Sequence, residues 1–76
     1  MAKPSMRDDI ARLLKQCRED ARLTQRALAA KLGTNQTRVA MMEIGQQKVL
    51  LIDMIEWCAA VGASPREFLD RLLEDN

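Results

Sequence analysis

Two short helical patterns lie close together in TQRALAAKLGTNQTRVAMMEIG, residues 24–45, and this stretch decides the fold. Thr24 and Asn35 are residue types that cap helix N-termini, while Gly33 and Gly45 are typical of the position that ends a helix. Three residues separate the two patterns. Because both helices are short and their connection is tight, the stretch predicts a helix-turn-helix.

Each of the two predicted helices has one apolar face. The apolar positions are Leu28, Ala29 and Leu32 in the first helix and Val39 and Met42 in the second. The free face of the second helix carries Gln36, Thr37, Arg38 and Met41. Gln and Thr near a helix N-terminus can reach base edges, because the major groove admits an α-helix and distinguishes the base pairs. The stretch therefore predicts sequence-specific binding of double-stranded DNA.

The composition favours a single small all-α domain. At 76 residues the chain has room for one core, near the lower limit for folding without disulfides or metals. Hydrophobic residues make up 47% of the chain, but aromatic residues only 3%, and Gly, Pro and β-branched residues are few. These proportions indicate an aliphatic, helical core and argue against a β-sandwich or barrel.

The charges are unevenly distributed along the chain. Residues 22–48 contain five basic residues and one acidic residue, whereas residues 49–76 contain two basic and six acidic residues. Both segments can be read as ordinary solvated surface. Because the basic segment coincides with the predicted helix-turn-helix, we expect a basic side that faces phosphate and an acidic side opposite.

The chain lacks the residues that most catalytic and metal sites need. It has no His, and its two cysteines, Cys17 and Cys58, are far apart in the sequence. Both fall on apolar helix faces, which favours burial as small hydrophobic side chains over a disulfide. Ser5 and Ser64 are better explained as helix caps than as nucleophiles. We therefore expect no enzyme, no metal site and no cofactor.

The sequence contains no membrane segment. No apolar run approaches the roughly 20 residues that span a bilayer, and the N-terminus lacks the apolar core of a signal peptide. These features predict a cytoplasmic protein with no membrane partner.

Three further helices are expected around the central pair. Helix one is predicted over residues 6–21 behind a flexible tail, residues 1–5, and residues 6–74 are predicted to form a single domain. Helix four is predicted over residues 51–61, and helix five starts at Pro65. The predicted buried stripes are Ile10, Leu13, Leu14 and Cys17 in helix one, Leu51, Met54, Trp57, Cys58 and Val61 in helix four, and Phe68 and Leu72 in helix five.

The order of these residues matches a known pattern. The central motif runs through Leu23-Thr24-Gln25, Leu28-Ala29, Leu32-Gly33, Val39, Glu43 and Gly45. It continues through Leu51, Met54, Trp57, Cys58, Val61-Gly62 and Phe68-Leu69. The sequence resembles the lambda-repressor-like, Cro/XRE-type family of DNA-binding domains, over residues 10–72. The resemblance implies a compact five-helix domain with the helix-turn-helix at helices 2 and 3.

The resemblance also implies roles for individual residues. The positions expected to contact bases are Gln36, Thr37, Arg38 and Met41, and those expected to contact the DNA backbone are Gln25, Arg26, Asn35 and Lys48. Glu43 is expected to brace the helix ends. Many family members have Gly where this chain has Arg22, and most have Pro where it has Val49. In its Val at position 49, this chain resembles the antitoxin-type branch of the family.

We expect a transcriptional repressor that binds a palindromic operator as a homodimer. Apolar residues that fall outside the predicted core stripes would form the dimer interface: Ile52, Ile55, Leu69 and Leu73. Acidic residues would form its polar rim: Asp53, Glu56, Asp70 and Glu74. The alternative is an antitoxin or protein-interaction module, in which Leu50, Ile52 and Ile55 bind a toxin or other protein partner.

Overall fold

A computed structural model describes residues 5–74, which form five α-helices and contain no strand. The helices are α1 (Met6–Asp20), α2 (Gln25–Leu32), α3 (Gln36–Glu43), α4 (Leu51–Val61) and α5 (Pro65–Glu74). The all-α prediction and the position of the helix-turn-helix at α2 and α3 are confirmed. The predicted flexible tail falls mainly on residues 1–4, which lie outside the described residues.

The ends of α1 follow from local hydrogen bonding. Ser5 caps the helix, because its Oγ accepts a hydrogen bond from the backbone N–H of Asp8 at 3.2 Å. The helix ends at Asp20, one residue before the predicted end, and Ala21 is its C-cap. Arg22 then adopts a left-handed conformation with φ of 59°. A non-glycine residue in this region costs about 1 kcal/mol, which agrees with the expectation of Gly at this position.

The turn between α2 and α3 has the predicted chemistry. Thr24 Oγ1 accepts a hydrogen bond from the N–H of Ala27 at 3.0 Å, and Asn35 Oδ1 accepts one from the N–H of Arg38 at 2.8 Å. Gly33 between the helices has φ of 69°, where a side chain would be strained. The turn therefore stops α2 and starts α3 within three residues.

The core surrounds Trp57 of α4. Its side chain is fully buried, and its Nε1 donates a hydrogen bond to the carbonyl oxygen of Leu14 at 3.0 Å, so the indole keeps its polar atom satisfied. The other buried hydrophobic residues in this cluster are Leu13, Leu14, Leu28, Ala29, Val39, Met42, Met54, Cys58, Phe68 and Leu72. Helix α1 packs against α3, α4 and α5, so it connects the helix-turn-helix to the C-terminal half.

The prediction for Leu51 is wrong. It was expected in the buried stripe of α4, but its side chain is 67% exposed. Leu51 lies in the first turn of α4, and the fully covered part of the stripe begins one turn later, at Met54. There Leu51 lines an apolar cavity of about 100 Å³ together with Leu50 and Leu69.

Both cysteines are free thiols. Cys58 is fully buried, and Cys17 is partly buried against the core. The expectation of burial therefore holds in full for Cys58 and in part for Cys17. Burial raises the pKa of Cys58 to about 11, with a smaller contribution from nearby Cys17.

None of the five helices combines the length and the hydropathy needed to cross a bilayer. Within residues 5–74, no three Cys, Asp or Glu side chains are grouped so that they could hold a metal ion.

Candidate nucleic-acid interface

Helix α3 presents a polar, uncovered face. It packs against α1 and α2 through Val39 and Met42, both buried. Thr37 is exposed and Met41 is exposed by 36% away from this contact, and Gln36 is exposed at the edge of α3 next to α2. Gln36 and Thr37 lie in the first turn of α3, and Met41 follows Thr37 by one helical turn. The predicted base-contacting face is therefore accessible at these three positions.

A buried ion pair joins α1 to the C-terminal end of α3. Arg18 Nε donates to Glu43 Oε2 at 2.6 Å, and Arg18 Nη2 donates to Glu43 Oε1 at 3.1 Å. The side chains of Arg18 and Glu43 are 11% and 2% exposed. Arg18 Nη1 also donates to the carbonyl oxygen of Leu23 at 2.7 Å, and the hydrogen bond to Glu43 raises the pKa of Arg18. Glu43 is thus held inside the domain, between α1 and the start of α2.

A chain of hydrogen bonds extends from this ion pair to the exposed face of α3. Gln25 Nε2 donates to Glu43 Oε1 at 3.0 Å. Gln36 Nε2 donates to Gln25 Oε1 at 3.3 Å, and Arg26 Nε donates to Gln36 Oε1 at 3.0 Å. We call this series, Glu43–Gln25–Gln36–Arg26, the glutamine relay. It brings together three predicted DNA-contacting residues from two helices.

Arg38 lies apart from the glutamine relay. Its Nη2 pairs with Asp53 Oδ1 of α4 at 3.4 Å, and its side chain is 38% exposed. A contact between Arg38 and DNA requires the guanidinium to leave this pair. Asp53 is also engaged at its other oxygen, which accepts a hydrogen bond from the N–H of Leu50 at 2.9 Å. Because the Asp53 side chain is only 11% exposed, the expectation that it forms part of a polar rim is wrong.

The segment between α3 and α4 adds a further exposed cation. Lys48 is exposed and lines a cavity of about 230 Å³ together with Arg7 from the first turn of α1. Gly45 precedes it with φ of 76°, and a Cβ atom there would lie 3.1 Å from Asp8 Oδ1. Glycine therefore lets this segment pass close to the start of α1. Lys48 remains available for a phosphate.

A surface of exposed large hydrophobic residues lies on α4 and α5. We call it the apolar patch, and it comprises Leu50 (55% exposed), Leu51 (67%), Ile52 (61%), Ile55 (45%), Leu69 (39%) and Leu73 (64%). Helices α4 and α5 pack against each other, and Leu50, Leu51 and Leu69 line one cavity. The four residues predicted for a dimer interface are thus uncovered, and Leu51 joins them.

The fold and the exposed face of α3 define a helix-turn-helix protein. The chain belongs to the family described as helix-turn-helix domain, which matches over residues 9–73. This is a family of DNA-binding transcription regulators, and its members include XRE-type proteins. The predicted family is therefore confirmed. No curated protein gives a significant sequence match.

Solved structures support the same fold. The clp gene regulator ClgR from Corynebacterium glutamicum is 25% identical with a TM-score of 0.86, covering 95% of this chain and 94% of that chain. An XRE-family like protein from Pseudomonas syringae pv. tomato is 29% identical with a TM-score of 0.84, covering 91% and 84%. The restriction-modification controller protein C.AhdI from Aeromonas hydrophila is 28% identical with a TM-score of 0.74, covering 80% and 88%.

Sequence reasoning missed Arg18 and the side-chain hydrogen bonds of Gln25. Arg18 was not singled out, although it is the partner of the buried Glu43. The available signal was Glu43 itself, which lies on a largely apolar helix with no Lys or Arg three or four residues away. A buried carboxylate needs a counter-charge, so its partner has to come from another helix. The Gln25 side chain uses its oxygen and one hydrogen of its NH₂ group in the glutamine relay, so its second amide hydrogen and its backbone N–H remain for a phosphate.

Proposed function

We propose that the protein is a sequence-specific transcriptional repressor that binds a palindromic operator as a homodimer. The observation that carries the proposal is the exposed polar first turn of α3, with Gln36 and Thr37 uncovered while Val39 and Met42 of the same helix are buried. A helix presented in this way can enter the major groove with its N-terminal residues towards the bases. Repression then requires only that the operator stays occupied.

The proposed contacts divide into base and backbone contacts. Gln36 reads an adenine through its amide, and Thr37 and Met41 contact a base edge or a thymine methyl group. The backbone N–H of Gln25 lies at the N-terminus of α2, where phosphate binds favourably. Asn35 uses its Oδ1 to cap α3, which leaves its amide N–H groups for phosphate. Lys48 is exposed and supplies a mobile positive charge.

The charge distribution supports this orientation. Arg26 and Lys48 are exposed in and beside the helix-turn-helix, whereas Asp70 and Glu74 are exposed on α5. Phosphate repels the acidic side and attracts the basic side. The helix-turn-helix therefore turns towards DNA, and α4 and α5 turn away from it.

The proposed dimer uses the apolar patch. One helix-turn-helix contacts few base pairs, and a genome offers about a million or more competing sites, so a second copy is needed for useful selectivity. Ile52, Ile55, Leu69 and Leu73 are exposed on α4 and α5 and none of them belongs to α3, so a two-fold contact through them does not use the recognition helix. Such a dimer places the two half-sites about one helical turn, roughly 34 Å, apart.

Selection of bound sites from a pool of random duplexes tests DNA recognition. We expect the selected sites to share a short sequence with dyad symmetry. We also expect a duplex outside this set to bind weakly, with an affinity that falls steeply as salt is raised. A protein that retards no duplex even at low salt would contradict DNA binding, and selected sites without a dyad would contradict the two-fold operator.

Sedimentation equilibrium at micromolar concentration tests the dimer. We expect a mass twice the 8.6 kDa of the chain for the wild type. Leu73→Glu, which places a charge within the apolar patch, should give the monomer mass with the helical content unchanged. Met41→Glu is the matched control, since Met41 is also an exposed apolar residue but lies on α3. A wild-type monomer would contradict the dimer and would favour a different protein as the partner of the apolar patch.

A further inference from the structure

The glutamine relay has a fixed direction. A carboxylate such as Glu43 can only accept hydrogen bonds, so Gln25 must turn its Nε2 towards it. The Oε1 of Gln25 is then left to face Gln36, which must donate with its own Nε2. The Oε1 of Gln36 is left in turn to face Arg26, a residue that can only donate. Both ends of the relay therefore enforce one orientation of the Gln36 amide.

The relay also determines where the guanidinium of Arg26 lies. Arg26 belongs to α2, yet its Nε is bound 3.0 Å from Oε1 of Gln36, at the exposed first turn of α3. Arg26 is exposed, and within residues 5–74 this is the one hydrogen bond that its side chain makes. Both of its terminal NH₂ groups therefore remain available. The side chain points towards the reading face of α3 and not along the flank of α2.

This position suits a base better than a phosphate. Because Arg26 Nε is hydrogen-bonded to Oε1 of Gln36, the two NH₂ groups of Arg26 lie beside the Gln36 amide and can meet a base pair next to the one that Gln36 contacts. The fork formed by the two NH₂ groups is complementary to O6 and N7 of guanine, and this bidentate contact is the commonest specific one in the major groove. A phosphate, by contrast, lies at the edge of the groove and needs only charge.

We propose that Arg26 is a specificity-determining residue that reads a guanine in the base pair next to the one read by Gln36. This assignment replaces the backbone contact that the sequence predicts for Arg26, and it rests on the proposed DNA-binding function. Arg26 and Gln36 act as one reading unit, in which Arg26 also holds the Gln36 amide in its single orientation. The half-site then contains guanine and adenine at adjacent positions.

The variant Arg26→Lys distinguishes a guanine contact of Arg26 from a phosphate contact. Lysine keeps the positive charge, so a phosphate contact would survive, but it cannot form the planar bidentate fork. We expect selectivity for the guanine pair to fall about 5- to 150-fold, the equivalent of 1–3 kcal/mol. We expect the salt dependence of binding to random duplex to stay close to that of the wild type. Arg66→Lys, an exposed position on α5, is the matched control.

The measurement is a binding competition among operator variants, in which each base pair of the selected half-site is changed in turn. Gln36→Ala locates the pair read by Gln36. Arg26→Lys should relax the preference at the adjacent pair, and a guanine analogue with carbon in place of N7 should weaken the wild type more than it weakens Arg26→Lys.

An Arg26→Lys protein that keeps the wild-type preference at every pair would overturn the assignment, since charge alone would then suffice. The assignment would also be overturned if Arg26→Lys lost preference only at the pair read by Gln36, because Arg26 would then only position the Gln36 amide. A wild type that selects no sequence would overturn both this inference and the proposed function. A wild type that selects a site which Arg26→Lys selects equally well would leave the proposed function intact and refute only the role of Arg26.

Discussion

Removing the carboxylate of Glu43 should cost a large share of the stability of the domain. Glu43→Ala deletes both hydrogen bonds to Arg18 and the one to Gln25, and it leaves the guanidinium of Arg18, only 11% exposed, without its counter-charge. Breaking a buried ion pair from one side costs about 3–5 kcal/mol. A chain of 76 residues has a total stability of roughly 4–11 kcal/mol. The variant should therefore be marginally folded at room temperature.

Equilibrium unfolding in urea, followed by far-UV circular dichroism, measures the effect. Glu19→Ala is the matched control, because Glu19 is an exposed acid on α1, where such changes usually stay within about 0.5 kcal/mol. The double variant Arg18→Met, Glu43→Leu should recover most of the lost stability, since it removes both buried charges and keeps the volume filled. A loss below about 1 kcal/mol for Glu43→Ala would refute the reasoning, because it would mean that Arg18 reaches water easily.

Three further predictions follow from individual positions. Arg22→Gly should relieve the left-handed conformation at φ of 59° and raise the melting temperature by up to about 4–8 °C, measured by thermal unfolding. Burial raises the pKa of the Cys58 thiol from 9.0 to about 11. The stabilisation of the folded state by the protonated thiol is therefore fully present below pH 9 and is lost as the pH rises towards 11. Between these pH values the free energy of unfolding should fall less steeply for Cys58→Ala than for the wild type. Lys48→Ala should weaken binding to operator and random duplex alike and lower the salt slope by about one in filter-binding assays.

Structural features that depend on residues close together in the sequence could be predicted from the sequence alone. Thr24, Asn35 and Ser64 each cap a helix with their own side-chain oxygen, and this chemistry is visible in a few consecutive residues. The buried stripe of α4 from Met54 to Cys58 was also predictable, because its period follows from helix geometry. Leu51 fits the same period but is exposed. The period shows which face of the helix is apolar, but it does not show whether another helix covers the first turn.

The hydrogen bonds within the candidate site could not be predicted from the sequence. The motif indicated Gln25, Arg26 and Gln36 as DNA-contacting residues, yet the hydrogen bonds among them join positions 10 and 11 residues apart. The ion pair between Arg18 and Glu43 spans 25 residues. Such contacts depend on how α1, α2 and α3 pack in three dimensions, and no local pattern encodes them.

The central claim is that α3 is the recognition helix and that Gln36 reads a base. The most direct measurement compares wild type and Gln36→Ala on the selected operator and on the operator changed at each base pair, with circular dichroism to establish that both proteins fold. We expect Gln36→Ala to lose about 1–3 kcal/mol of binding free energy on the operator and to relax the base preference in each half-site most strongly at the pair that Gln36 reads. Unchanged affinity and unchanged base preference in a folded Gln36→Ala protein would contradict the claim.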